Sequence, residues 1–146
     1  MQSHDDNQVC LRVHLSSPPE RVFEVLSTDA GRRMFWAESA DEHDGVIRFR
    51  FSNGMEHDGR ILRSEPQRLF SVEYFGGSNA TFELASDGAG GTDVTLVERS
   101  IPREWLHEHR SGWVSVMLAL KAAVDFAVDL RNRDPARSWE RGYVDV

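Results

Sequence analysis

"HEHRSGWVSVMLALKAAVDFAVDL" (His107–Leu130) is the longest uninterrupted helical pattern in a chain of 146 residues, and it comes almost last. With Trp113 at zero and about 100° per residue, Leu106, His109, Val116, Met117, Leu120, Val124, Ala127 and Val128 fall within about 60° of it. Lys121, Asp125 and Asp129 fall on the far side. One wide apolar stripe therefore faces other structure, and a helix from Arg103 to Leu130 would span on the order of 40 Å. Leu118, Ala119, Ala122 and Phe126 lie toward the back, where they require a second cover. The candidates for that cover are the tail "DPARSWERGYVDV", with Trp139 and Tyr143, and a second subunit in a homodimer.

The segments before this helix supply what its stripe covers. In "VCLRVHL", Val9, Leu11, Val13 and Leu15 share one face and Cys10, Arg12 and His14 the other, the period of a half-buried strand. "SSPPERVFEVLS" reads as a helix start, with Ser17 as cap, Pro18 or Pro19 in the first turn and Glu20 at the capping-box spacing. Thr28 or Asp29 caps a short second helix ending near Trp36. Strands follow: Ile47, Phe49 and Phe51 alternate with arginines, and "SNG" (Ser52–Gly54) carries a hairpin signal. The return strand places Met55, His57, Gly59 and Ile61 on one face. Three more strands place together Phe70, Val72 and Tyr74, then Ala80, Phe82 and Leu84, then Val94, Leu96 and Glu98.

This order predicts an α+β fold. A curved antiparallel sheet of about six strands wraps around the long C-terminal helix, with two short helices between strands 1 and 2. The chain reads as one domain, residues 1–146, with its core at about 9–131 and a tail at 132–146. A strongly curved sheet cannot pack tightly along so long a helix, so a cavity between the two is the expectation. The same residues would otherwise make a filled core.

Three stretches carry a resemblance: "SSPPERVFEVLS" after the first strand, "GGTDVTLVE" at the last strand, and "HRSGWVSVMLALKAAV" in the final helix. The Gly112-Trp113 pair followed by Leu120 is the most distinctive. From Val9 to Leu130 the chain resembles the SRPBCC or START-like superfamily, with its helix-grip (Bet v-like) fold. Within it, the chain is most similar to the branch named for the activator of heat-shock-protein-90 ATPase homologues. The resemblance implies a fold more than a function, because the superfamily includes lipid and hormone carriers, polyketide cyclases and co-chaperone-like proteins.

Composition narrows the classes. The net charge of −7 repels phosphate backbones and argues against nucleic acid as a partner. The single cysteine, Cys10, allows no internal disulfide. No apolar run is long enough for a membrane span. The start "MQSHDDNQ" has neither a basic end nor an apolar stretch, so the protein is expected to be cytoplasmic.

The candidate ligand-binding residues are those on the inward faces. They are Phe49, Phe51, His57, Tyr74, Phe82 and Glu98 from the sheet and His109, Trp113, Met117 and Leu120 from the helix, with Trp36 at the mouth. Glu98 is the sharpest of them. Strand parity turns it inward, where a carboxylate must be paired or protonated and could act as a general acid or base. At the strand end it could equally reach water, or pair with Arg99 or Arg103. His57 is a candidate anchor or a partner for Glu98, and equally a strand-end histidine near the turn. "HEH" (His107–His109) does not have metal-ligand spacing, and neither a metal site nor a cofactor motif is evident. "GAGG" (Gly88–Gly91) joins two strands and is a turn, not a phosphate loop.

These residues suggest a binder of a small hydrophobic molecule rather than an enzyme. A polyketide cyclase or aromatase using Glu98 or His57, and a co-chaperone-like interaction domain, are the alternatives.

Overall fold

The computed structural model describes residues 7–146, so most of the stretch read as lacking a leader lies outside the described residues. β1 (Val9–Leu15) leads into α1 (Pro19–Ser27) and α2 (Asp29–Arg33). Then come β2 (Ser39–His43), β3 (Val46–Arg50), β4 (Glu56–Glu65), β5 (Leu69–Glu73), β6 (Asn79–Ser86) and β7 (Thr92–Arg99). The long helix, α3 (Leu106–Phe126), comes last. The strands form one antiparallel sheet of seven in the order β1-β7-β6-β5-β4-β3-β2.

The expected sheet of about six strands lacks β2, a correction with a local cause. Asp44 and Gly45 take φ values of 51° and 80°, the left-handed pair of a two-residue hairpin turn. That turn folds "SADEH" back on β3, pairing Ala40 with Phe49. The strand is mostly polar, so alternation does not mark it. Arg32 holds it from below. Its fully buried guanidinium donates to the carbonyls of Ala40 and Leu26 and to Asp29 Oδ1. Burial lowers its pKa, while Asp29, Glu42 and Asp41 favour its charge.

The inward faces follow the predicted parity. Ile47, Phe49, Phe70, Val72, Ala80, Phe82, Val94 and Leu96 are fully or nearly fully buried. A register shift between Ile61 and Arg63 bends β4 against β5. Gly59 allows the close approach there, since a Cβ would sit 2.3 Å from the Glu73 carbonyl oxygen.

Two sequence expectations are corrected at the helices. Ser17 does not cap α1, whose N-cap is Pro18 without a side-chain bond. Instead the Ser17 hydroxyl donates to Asp125 Oδ1 at 2.8 Å, and the Ser16 and Ser17 amides donate to the same carboxylate. The connection from β1 to α1 is thereby tied to the last turn of α3, which packs along β1. Thr28 caps α2 as expected, accepting from the Gly31 amide.

The second correction is length. α3 stops at Phe126, four residues short of Leu130. Its 21 residues span about 30 Å. Ala127 turns left-handed at φ 55°, and the Val128 amide bonds back to the Ala122 carbonyl, closing the helix without glycine. Ala127 and Val128 therefore leave the inward stripe. Of the back-face residues, Ala119 and Ala122 are buried, while Leu118 and Phe126 are 52% and 66% exposed. The end of the tail, Val144 to Val146, comes alongside Ala119 and Leu118 but leaves Leu118 half exposed, and Phe126 stays open. Because Ala127 holds a conformation that glycine adopts freely, Ala127→Gly is expected to raise stability by ~0.5–1 kcal/mol in urea unfolding; no gain would show that the left-handed cap costs nothing here.

Candidate functional site

Glu98, next to last in β7, faces the N-terminal half of α3, and its carboxylate is fully buried. It does not reach water, nor does it pair with Arg99 or Arg103. Trp113 Nε1 donates to Oε1 at 2.7 Å, the Ser78 hydroxyl donates to Oε2 at 2.5 Å, and His109 Nδ1 lies 2.9 Å from both oxygens. His109 and Trp113 are one helical turn apart, so one face of α3 delivers both. Ser78 comes from the turn between β5 and β6. Three elements thus converge on one carboxylate, the arrangement that makes a buried charge tolerable. With Nδ1 donating, His109 has no other side-chain bond among the described residues, and its ring stacks on Trp105 at 5.9 Å.

Beside this cluster stands a group of aromatic rings. Trp36 lies 4.9 Å from Phe49, 5.3 Å from Phe82 and 5.9 Å from Trp113, centroid to centroid. Its Nε1 donates to the Tyr74 hydroxyl at 3.1 Å. Burial pushes the Tyr74 phenol well above its usual range, the Trp36 bond opposes this, and the Glu98 charge adds to it. These rings fill the space deep between sheet and helix, so Phe49, Phe82, Met117 and Leu120 are packed core.

The open space lies further out, at the mouth. It is a pocket of about 200 Å³. The connection after α2 supplies Trp36, Ala37 and Glu38; the β3–β4 loop supplies Phe51, Ser52, Asn53 and Met55; Tyr74 and Phe75 follow β5. α3 gives His109, Gly112, Trp113, Ser115 and Val116. Arg131, Trp139 and Val146 of the tail form the outer wall. Gly112 matters through what it lacks, since a Cβ there would meet nothing within 4 Å.

Of the sequence candidates, Trp36, Phe51, Tyr74, His109 and Trp113 line this pocket, and Glu98 lies behind His109 and Trp113. His57 is not a partner of Glu98. Its Nε2 bonds to the Glu73 carbonyl, and its ring lies 4.6 Å from Phe75. Ser78, Phe75 and the tail residues escaped the sequence reading. Nothing local marks Ser78, while Trp139, a candidate cover for the back of the last helix, lines the pocket instead.

The tail is strapped down. Arg131 donates to the Ala37 and Arg33 carbonyls, Arg133 reaches Glu38, and Asn53 donates to Glu140 at 2.8 Å. Asp129 accepts from both arginines; partial burial raises its pKa, but these bonds outweigh it and hold the carboxyl at about 2. Among the described residues there is no group of three metal-ligating side chains, and no helix long and apolar enough to cross a membrane.

Removing the carboxylate should strand three donors. Glu98→Ala is expected to cost ~2–4 kcal/mol in chemical denaturation. Glu98→Gln keeps an acceptor for Trp113 and can donate to Ser78, so it should lose clearly less. Equal losses would mean that the carboxylate itself, and neither its volume nor a retained amide acceptor, is what Glu98 contributes.

A family model described as activator of Hsp90 ATPase homolog 1-like protein matches residues 16–125. No curated protein matches the chain. Among solved structures, the fold is similar to that of the Aha1 dimer from Colwellia psychrerythraea, at 21% identity and a TM-score of 0.73 over 82% of this chain and 96% of that one. A protein from Staphylococcus saprophyticus is similar at 24% identity and a TM-score of 0.71, over 83% and 93% of the two chains. A protein from Chromobacterium violaceum is similar at 26% identity and a TM-score of 0.68, over 82% and 98%. The match spans most of the chain and runs from the α1 start to the end of α3, so the chain belongs to the activator of Hsp90 ATPase homolog 1-like family of the SRPBCC superfamily.

Proposed function

We propose that this chain binds a small hydrophobic molecule in the pocket at the mouth of the helix grip. The observation that carries the reading is an open recess walled by Trp36, Phe51, Phe75, Trp113 and Trp139 at the point where α3 has no side chain, Gly112. Concave, aromatic-rich recesses with few polar groups are how proteins hold apolar ligands.

A cyclase-like role would draw its acid or base from Glu98 and His109. Three donors already occupy the carboxylate, and the histidine is tied to it, which favours binding over turnover. A role in activating a chaperone ATPase, which the family's name suggests, would need an exposed interaction surface, and the pocket does not supply one.

Gly112→Leu would fill the recess at a helix position where leucine is the better helix former. It is expected to weaken binding of the apolar dye N-phenyl-1-naphthylamine roughly tenfold or more while keeping the fold. His107→Ala, at an exposed position away from the pocket, should leave the affinity unchanged. Undiminished dye binding in Gly112→Leu would place the ligand elsewhere and sink the reading.

Self-association is a separate proposal, supported by the exposed apolar pair Leu118 and Phe126 on the back of α3. Sedimentation is expected to show a dimer that Leu118→Glu dissociates. A monomer at every concentration would end it.

A further inference from the structure

Tyr74 is a donor with nowhere to donate. It is 9% exposed and lines the pocket. Its oxygen accepts the Trp36 Nε1–H, and its own hydrogen has no acceptor among the described residues. The rings packed against it are Trp36, Phe49, His57, Phe75 and Trp113. Among them His57 alone carries an acceptor nitrogen; its Nε2 donates to the Glu73 carbonyl, and its Nδ1 makes no bond to the hydroxyl. Glu98 is the carboxylate that acts on the phenol, but its oxygens are engaged by Ser78, His109 and Trp113. A buried hydroxyl that lacks an acceptor loses free energy, which a bound acceptor would restore.

The surroundings narrow what that acceptor is. The walls are aromatic faces, which favour a flat partner. Glu38, which lines the pocket, is already paired with Arg133, and Glu98 lies behind it, so a negatively charged acceptor meets carboxylates and finds no uncommitted cation in the lining. Arg131, the cation in the lining, is committed to Asp129 and to the Ala37 and Arg33 carbonyls. A neutral oxygen acceptor remains. We propose that the Tyr74 hydroxyl is the polar anchor of this pocket, and that the pocket selects flat apolar molecules carrying a carbonyl oxygen.

This selectivity rests on the ligand-binding reading above, and one pair of probes separates the two. 2-Acetylnaphthalene and 2-ethylnaphthalene share a ring and a shape and differ in the carbonyl. Both are titrated into the full chain, followed by tryptophan fluorescence, since Trp36, Trp113 and Trp139 line the site. The ratio of ketone to hydrocarbon affinity is expected to fall about tenfold from the wild type to Tyr74→Phe, the effect of one hydrogen bond. The ratio is internal to each protein, so a general loosening of the pocket does not move it.

If Tyr74→Phe fails to fold, because the buried Trp36 N–H loses its acceptor, the infrared carbonyl stretch of the ketone bound to the wild type decides. It should lie below its position in hexane. An unchanged ratio or an unshifted stretch, with the hydrocarbon still bound, overturns the Tyr74 anchor and leaves the binding function standing. Failure of both probes to bind the wild type overturns both.

Discussion

A carboxylate out of water needs donors on all sides, and Glu98 obtains them from three separate stretches of chain. That need fixes the relation of the long helix to the sheet. An apolar stripe alone lets a helix slide or roll over a sheet at little cost, because hydrophobic contact is not directional. The bonds from His109 and Trp113 remove that freedom at the N-terminal half of α3, and Asp125 does the same at the other end through Ser16 and Ser17. The helix is pinned at both ends by carboxylates, one on the sheet and one its own. Between them, Met117, Leu120 and Val124 supply the burial that drives the packing.

The position of the pocket follows from how the aromatic residues share the interior. Trp36 and Trp113 stand between the packed depth of the grip and the pocket, and turn their N–H groups to Tyr74 and Glu98, as large amphipathic rings do when buried. That closes the deep cavity expected from sheet curvature and leaves space only at the rim. The rim would be an open groove if the chain ended with α3. The tail makes it a pocket by crossing over it, and lies beyond the residues that the family shares. The part of the chain that the family model matches thus supplies three walls, and the tail after it supplies the fourth.

Much of this was legible in the sequence. Alternation identified six of the strands and the inward face of each, because period-two burial leaves a clear trace in residues such as Phe70, Val72 and Tyr74. β2 left none. Its residues are polar, and the Asp44-Gly45 turn that makes it a strand lies in a stretch with little apolar content. Glu98 was placed inward by parity, but its partners came from 20 and 11 residues away in opposite directions along the chain, a pairing that no local pattern encodes. The inward stripe did not separate core from pocket wall either. Met117 and Val116 both fall within the inward stripe, yet one is core and the other lines the opening. The end of α3 was overestimated because Ala127 carries no stop signal, and its left-handed turn is closed by backbone bonds to Ala122 and Ala123.

β1 lies at the sheet edge beside β7, with Val9 opposite Glu98 and Leu15 opposite Thr92. The first strand of the fold thus pairs with the last, and α3 packs along the same strand. On a ribosome, β1 emerges long before it has anything to pair with, and five strands must form their own meander in the interval. Closing so long a loop carries an entropic cost that local hairpins do not. The meander can therefore assemble hairpin by hairpin as it is made, while β1 and the floor of the pocket wait for the synthesis of β7 and α3. Completion of the grip must follow the synthesis of β7, α3 and the tail, and the site at its mouth exists only after that.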